Sequence, residues 1–190
     1  MPHFAANLHY LFTEAAFLER FQAAARAGFK AVEFQVPYDY APAELRTRLQ
    51  TNGLQMVLFD APMGDWSKGD RGLHGYFLHR TEQARRIIDE VASDNLFLHL
   101  DCYHMQLLEG HLAETIREHI GIVRHFQIAG VPGRHEPDVG EINYPFLFDL
   151  IDEMGYRGWI GCEYRPLGNT SDGLGWAARY GITASPPVGA

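Results

Sequence analysis

The sequence predicts a parallel α/β fold, on three observations. Six short apolar runs recur along the 190 residues, stretches with helical spacing of apolar side chains separate them, and the connections are short. Parallel neighbouring strands need a crossover connection, and the intervening helices supply it. With 46% apolar residues the chain can bury one core, so we predict a single domain over residues 1–180 and a C-terminal tail over 181–190.

The predicted strands are apolar runs that end in polar or turn residues, as is typical of strands buried in parallel sheets. In chain order they are "FAANL" (4–8), "AVEFQV" (31–36), "QMVLF" (55–59), "LFLHL" (96–100), "HFQIA" (125–129) and "WIGCEY" (159–164).

The predicted helices lie between these strands, and residues typical of helix ends bound several of them. They run from the N-cap Thr13 to Gly28, from Pro42 to Gly53, over about 81–91, near 112–120, and from the N-cap Asn143 to Gly155.

Composition excludes several classes of function. The formal charge of −8 without a Lys/Arg cluster argues against nucleic-acid binding. No run of 18 apolar residues is present, and the N-terminus "MPHFAANLHY" lacks the features of a secretory signal, so we expect no membrane association. Cys102 and Cys162 are too few for a disulfide framework, and we predict a cytoplasmic protein.

Polar side chains stand at the end of every predicted strand. They are Asn7, Glu33, Asp60, Asp101 with the nearby His104, Gln127 and Glu163. Taken singly, an acidic residue after a strand is more often a helix N-cap or a solvated loop residue. In parallel folds, however, the carboxyl ends of strands converge on one face where chemistry collects. The joint pattern therefore indicates a site.

The oxygen donors of this set suggest a metal ion. Asp101, Gln127 and Glu163 offer two carboxylates and an amide oxygen, which Mg²⁺ and Mn²⁺ prefer. His104 could act on a substrate oxygen, or it could be a structural histidine. Arg134, in the polar loop 132–144, could neutralise a substrate carboxylate or belong to a charged turn. The glycine-rich loop 64–72 is predicted to be mobile and to cover this face.

Several long motifs resemble the hydroxypyruvate isomerase family, within the xylose isomerase-like TIM barrels. They are "FAANLHYLF", "AGFKAVEFQVPYDY", "LDCYHMQLLEG", "FQIAGVPGRHEPDVGEINY", "GWIGCEYRP" and "DGLGW", in the family's order. The stretches "AGVPGRHEPDVGEINYPFLF" and "DGLGW" are most similar to the 2-oxo-tetronate isomerase branch. The resemblance covers residue 2 to about residue 176.

The resemblance implies a (β/α)8 barrel that interconverts small hydroxy-oxo acids through a metal-stabilised enediolate. It places Asp101, Gln127 and Glu163 on a Mg²⁺ or Mn²⁺ ion, with Glu163 also one of two catalytic glutamates. It places His104 and Arg134, and with them Asn7, in contact with substrate. The expected partner is a small acid such as hydroxypyruvate.

The chain is short for this family, since a (β/α)8 barrel typically needs about 250 residues. Comparison with the family's motifs locates the gap between Leu73 and His74, where two strand–helix units are missing. By the resemblance, the missing segment would carry the family's remaining metal ligand, which is also its second catalytic glutamate, and Glu33 and Glu82 are poor substitutes by position. We therefore predict an incomplete barrel of about six parallel strands with impaired activity, whose open edges could pair in a homo-oligomer.

Other functions remain open at this point. A sugar epimerase uses the same fold, ion and paired carboxylates, and a preference for neutral ketoses would favour it. A metal-dependent endonuclease for abasic DNA is disfavoured by the negative charge. A catalytically inactive remnant that only binds a metal or a partner would show no turnover.

Overall fold

The structure of the protein, a computed structural model, describes residues 1–61 and 78–183. The predicted covering loop 64–72, the Leu73/His74 junction and the end of the tail lie outside these residues. The described elements are β1 (His3–Asn7), α1 (Phe17–Arg26), β2 (Ala31–Phe34), α2 (Pro42–Asn52), β3 (Gln55–Phe59), α3 (Thr81–Val91), β4 (Leu98–Asp101), α4 (Cys102–Leu108), α5 (Leu112–His119), β5 (Val123–Ile128), α6 (Tyr144–Glu153) and β6 (Trp159–Cys162). Short 3₁₀ segments cover Pro37–Asp39 and Thr170–Tyr180.

The strands form one parallel sheet in the order β3-β2-β1-β6-β5-β4. This confirms the predicted α/β class and the six parallel strands. The sheet is also strongly curled. The evidence is a 2.6 Å contact between Glu33 Oε2 on β2 and His125 Nε2 on β5. In a flat sheet these strands would lie about 14 Å apart, three strand spacings of about 4.8 Å. The molecule is therefore an incomplete barrel with an interior face.

The gap in the barrel lies between β3 and β4, which are consecutive strands of the described chain but occupy opposite edges of the sheet. Apolar side chains are exposed on both edge strands or beside them: Met56 and Phe59 on β3, and Phe97 just before β4. An apolar groove of about 480 Å³ runs along the β3 side, between Tyr38, Leu49 and Phe59. Both edges thus expose surface that a closed barrel would cover.

The predicted helices are confirmed, with two differences: the N-cap of α1 is another residue, and one additional helix is present. Thr13 does not cap α1: the N-cap position belongs to Ala16, with no side-chain hydrogen bond. The helix α4 was not predicted, and it begins because the Asp101 carboxylate accepts from the backbone N–H groups of Tyr103 and His104. Asn143 caps α6 as predicted.

The core continues to the end of the described chain. Phe4, Phe148 and Trp176 pack against one another, edge to face or tilted. Ile182 is buried, and the N–H of Thr183 donates to the Ala27 carbonyl at 2.9 Å. The packed chain thus passes residue 180, while the division into a domain and a tail stays a prediction. No helix within the described ranges is long and apolar enough to span a bilayer.

Candidate active site

Strand register places the predicted site residues on the interior face of the barrel. Gln127 pairs in register with Asp101 on one side and with Gly161 on the other. Side chains that are in register on parallel strands point to the same face, as do residues two apart along one strand. Asp101, Gln127 and Glu163, which is two residues after Gly161, therefore share the interior face.

Glu33 lies at the centre of the interior, with its side chain fully buried. Its Oε1 accepts from Asn7 Nδ2 at 2.8 Å and from Gln127 Nε2 at 2.7 Å. Its Oε2 meets His125 Nε2 at 2.6 Å. A buried carboxylate is costly unless it is hydrogen-bonded, and three donors from two other strands meet that requirement. Glu33, predicted to be one of the strand-end residues but a poor substitute for the missing glutamate, thus lies among the predicted site residues. Glu82 is exposed on α3.

Space for the Glu33 carboxylate comes from small residues one layer below it. Ala31, Ala5 and Gly161 stand in register across β2, β1 and β6. A Cβ atom on Gly161 would overlap the Glu33 carboxylate. Glycine at position 161 is thus required by this close approach.

Glu163 is buried at the carboxyl end of β6. Its Oε1 accepts from Gln35 Nε2 at 2.8 Å, and its Oε2 is paired with Arg134 Nη2. Burial raises the pKa of Glu163 to about 8, with Arg134 acting in the opposite direction and the negative charges of Asp101 and Glu33 adding to the rise. A carboxylate of this kind exchanges protons near neutral pH, as a general base requires.

Arg134 reaches Glu163 from the loop after β5. Its guanidinium lies over the rings of Tyr10 and Tyr103, at 4.9 and 5.1 Å from their centroids. Its backbone adopts a left-handed conformation with φ of 57°, just after the cis peptide bond between Val131 and Pro132. The two aromatic rings and the Glu163 carboxylate hold this cation beside the interior.

Asp101 and His104 form the β4 side of the site. Asp101 Oδ2 lies 3.5 Å from His104 Nε2, while the other carboxylate oxygen caps α4. Among the described residues, His104 Nδ1 is buried without a hydrogen-bond partner. Burial lowers the pKa of His104. An unpaired buried nitrogen beside the site is the kind of group that a ligand satisfies.

The predicted donor set consists of oxygen atoms, the atom type that hard divalent cations prefer. Asp101, Gln127 and Glu163 supply oxygen atoms at the ends of three adjacent strands on one face. In this structure the charge of Glu163 is paired with the Arg134 guanidinium. No cluster of three His, Cys, Asp or Glu side chains suited to a metal ion occurs in the part of the chain that the structure describes. The predicted set contains only two carboxylates, because its third member is an amide.

Asn7, predicted to contact substrate, has both polar side-chain atoms hydrogen-bonded within the chain. Its Nδ2 donates to Glu33, and its Oδ1 accepts from the N–H of His9 at 3.0 Å. Its role in substrate binding stays a prediction, as do the metal and substrate roles of the other residues.

The interior residues that the sequence analysis missed share one signal. His99 and His125 each precede a predicted ligand by two residues, in "HLD" and "HFQ", and the two histidines pair in register. Their rings pack at 5.3 Å. Polar residues that alternate along an otherwise apolar strand mark its interior face. This spacing could have identified both histidines.

A curled parallel α/β sheet with a buried carboxylate, an arginine and an amide at its strand ends is the architecture of a TIM-barrel fold with one part missing. Comparison with known proteins identifies the family. Residues 70–180 match the family described as xylose isomerase-like TIM barrel. The chain belongs to that family.

Relatives place the chain among the isomerases of the family. It is 40% identical to a 2-oxo-tetronate isomerase of Cupriavidus necator, over 95% of this chain and 99% of that one. It is 33% identical to the hydroxypyruvate isomerase of Escherichia coli, over 95% of this chain and all of that one. A solved structure described as an AP endonuclease, family 2, from Brucella melitensis is 35% identical with a TM-score of 0.90, covering 95% of this chain and 99% of that one.

The alignments also confirm that an internal segment is missing. The match to the Cupriavidus necator protein extends over 257 positions, although it takes only 95% of a chain of 190 residues. Both ends of that relative are covered, so the unmatched positions lie inside the alignment. The sheet order places the resulting gap between β3 and β4.

Proposed function

We propose that the chain acts on small hydroxy-oxo acids of the hydroxypyruvate or 2-oxo-tetronate type, by moving a proton between neighbouring carbons through an enediolate. The names of its relatives support the substrate class. The observation that carries the proposal is the contact between Glu163 and Arg134. Glu163 is a buried carboxylate with a pKa of about 8, and Arg134 is a cation paired with it. A base and an anion-binding group thus occupy the same end of the barrel.

Each side chain has a role in this reaction. Glu163 removes the proton from the hydroxyl-bearing carbon. Arg134 binds the substrate carboxylate through its planar guanidinium. His104, whose Nδ1 lacks a partner among the described residues, hydrogen-bonds a substrate oxygen. Asp101, Gln127 and Glu163 would hold Mg²⁺ or Mn²⁺, which supplies positive charge for the oxygen atoms of the enediolate when bound.

We further propose that the reaction is incomplete in this chain. Isomerisation needs a proton removed at one carbon and returned at the next, and the second carboxylate is expected in the missing segment. We do not assign this role to Glu33, because it is fully buried and three interior side chains, Asn7, Gln127 and His125, hold its carboxylate. Proton exchange at the carbon near Glu163 should therefore outpace isomerisation.

Solvent exchange tests this function directly. The chain is incubated in D₂O with hydroxypyruvate or 2-oxo-tetronate, with Mg²⁺ or with EDTA, and the proton signal of the hydroxyl-bearing carbon is followed by NMR together with product formation. We expect exchange with Mg²⁺ that is lost with EDTA, and product at a rate about a hundredfold or more lower, within the usual contribution of one acid–base group. Exchange that is indifferent to EDTA would contradict the metal-dependent mechanism.

The same assay separates the alternatives. Faster exchange on neutral ketoses than on the acids would favour an epimerase. A chain that exchanges no proton from any of these substrates would be the inactive remnant.

We propose that the chain self-associates through the open edges of its sheet. In the described part of the chain β3 and β4 each pair with one strand only, and apolar side chains lie on both edges. Sedimentation velocity is expected to show association that grows with concentration and decreases in Phe59→Lys. The matched control is Phe146→Lys, since Phe146 is equally exposed (48% against 49%) but lies on α6. A monomer at all concentrations, or an equal response of both variants, would contradict this prediction.

We also propose a cytoplasmic location. Cys102 and Cys162 are both buried and free. Burial raises the pKa of both thiols, which keeps them protonated and unreactive. Free buried thiols are compatible with a reducing compartment.

A further inference from the structure

Glu33 is the most buried charged group of the interior, and neither the reaction nor the predicted ligand set uses it. Its relative exposure is 0%, and its hydrogen bonds join β2 to β1 and β5. Such a group is a candidate for fixing the geometry of its neighbours.

The hydrogen bonds of Glu33 define how Gln127 is oriented. Glu33 Oε1 accepts from Gln127 Nε2 at 2.7 Å and from Asn7 Nδ2 at 2.8 Å, so the amide nitrogen of Gln127 is turned toward Glu33. The amide oxygen is then directed away from β2. Asp101 on the neighbouring strand β4 stands in register with Gln127 and shares its interior face.

We propose that Glu33 is a positioning residue that holds the Gln127 amide with Nε2 turned inward and Oε1 presented to the site. Without this acceptor the amide could rotate and present a donor, which repels a cation. The inference rests on the proposed function for the ligand role of Gln127, while the orientation itself rests on the hydrogen bonds alone.

The close approach of Gly161 to Glu33 is independent evidence that the position of the Glu33 carboxylate is fixed. The Glu33 carboxylate occupies the position that a side chain at residue 161 would take. A Gly161→Ala substitution therefore displaces the carboxylate without removing its charge. Glu33→Gln removes the charge and one acceptor without changing the size of the side chain. The two variants disturb the same contact in different ways.

The first measurement needs no metal. In ¹H–¹⁵N NMR spectra of the metal-free chain, the Nε2 protons of Gln127, assigned by their loss in Gln127→Met, are expected to be shifted and protected from exchange. Glu33→Gln and Gly161→Ala should both abolish the protection. The control is Glu136→Gln, a buried glutamate that accepts from the N–H of Leu167, because an amide oxygen still satisfies that single donor. Unchanged Gln127 signals in the two test variants would overturn the proposal.

The second measurement is Mn²⁺ affinity, read from the EPR signal of free Mn²⁺. Loss of a partner that orients a ligand typically weakens metal binding by about 10- to 100-fold, and we expect this in Glu33→Gln but not in Glu136→Gln. An unchanged Mn²⁺ affinity in a variant that has lost the amide protection would overturn the proposal. If the unaltered chain binds no Mn²⁺, the metal-dependent function fails, and the amide protection alone decides whether Glu33 positions Gln127.

Discussion

A Glu163→Gln variant is expected to exchange the substrate proton about a thousand times more slowly than the unaltered chain, within the range of about 10²–10⁴ for general acid–base catalysis. The substitution keeps the size of the side chain and its contact with Gln35, but a carboxamide cannot take up a proton at neutral pH. The measurement is the D₂O exchange of hydroxypyruvate with saturating Mg²⁺, which separates loss of the base from weaker ion binding.

Glu136→Gln is the matched control for this variant, because it makes the same change at another buried glutamate. It should retain the exchange rate within a fewfold. If Glu163→Gln kept more than about a tenth of the rate at saturating Mg²⁺, Glu163 would not be the base. The carboxylate would then serve the cation alone.

The pattern of apolar runs was sufficient to predict the fold. Each run is short and mostly apolar because strands of a curled parallel sheet are covered on both faces, by helices outside and by side chains inside. β3 (Gln55–Phe59) is the exception, since its side chains are exposed or half-buried at an open edge. Its sequence still matches a closed barrel, so the sequence pattern alone could not show that the edge is open. The gap became visible only from chain length and family motifs.

The site could be predicted only in part, because several residues have two roles. Asp101 was considered both as a ligand and as a helix cap, and in the structure it caps α4 (Cys102–Leu108). Its second oxygen still faces His104. We did not predict α4 from the sequence, because Asp101 was interpreted as a metal ligand and not as the N-cap of a helix.

Glu33 shows what the sequence could not provide. Its importance depends on contact with His125, which is distant in sequence and three strands away in the sheet. Only the curl of the sheet brings the two together. The requirement for Gly161 arises from the same curl, because the Glu33 carboxylate crosses the barrel to occupy that space.

Arg134→Leu is expected to raise the KM for acidic substrates by about a hundredfold, equivalent to roughly 2.7 kcal/mol of binding free energy. The substitution removes the cation that the two tyrosine rings hold beside Glu163. The measurement is the substrate dependence of proton exchange, with hydroxypyruvate compared with a neutral hydroxyketone. A role in binding the carboxylate predicts a large increase for the acid and a small one for the neutral compound.

The pKa of Glu163 supplies a second readout with a defined sign. The positive charge of Arg134 lowers this pKa, so Arg134→Leu should raise it further above 8 in the metal-free chain, as followed by ¹³C NMR of the side-chain carboxyl group. Arg134→Lys retains a charge and should leave the pKa nearly unchanged, yet it loses the planar fork that binds a carboxylate bidentately. An increase in KM in the lysine variant without a change in pKa would therefore assign the guanidinium geometry to the substrate. Equal KM values for all three chains would limit Arg134 to balancing the charge of Glu163.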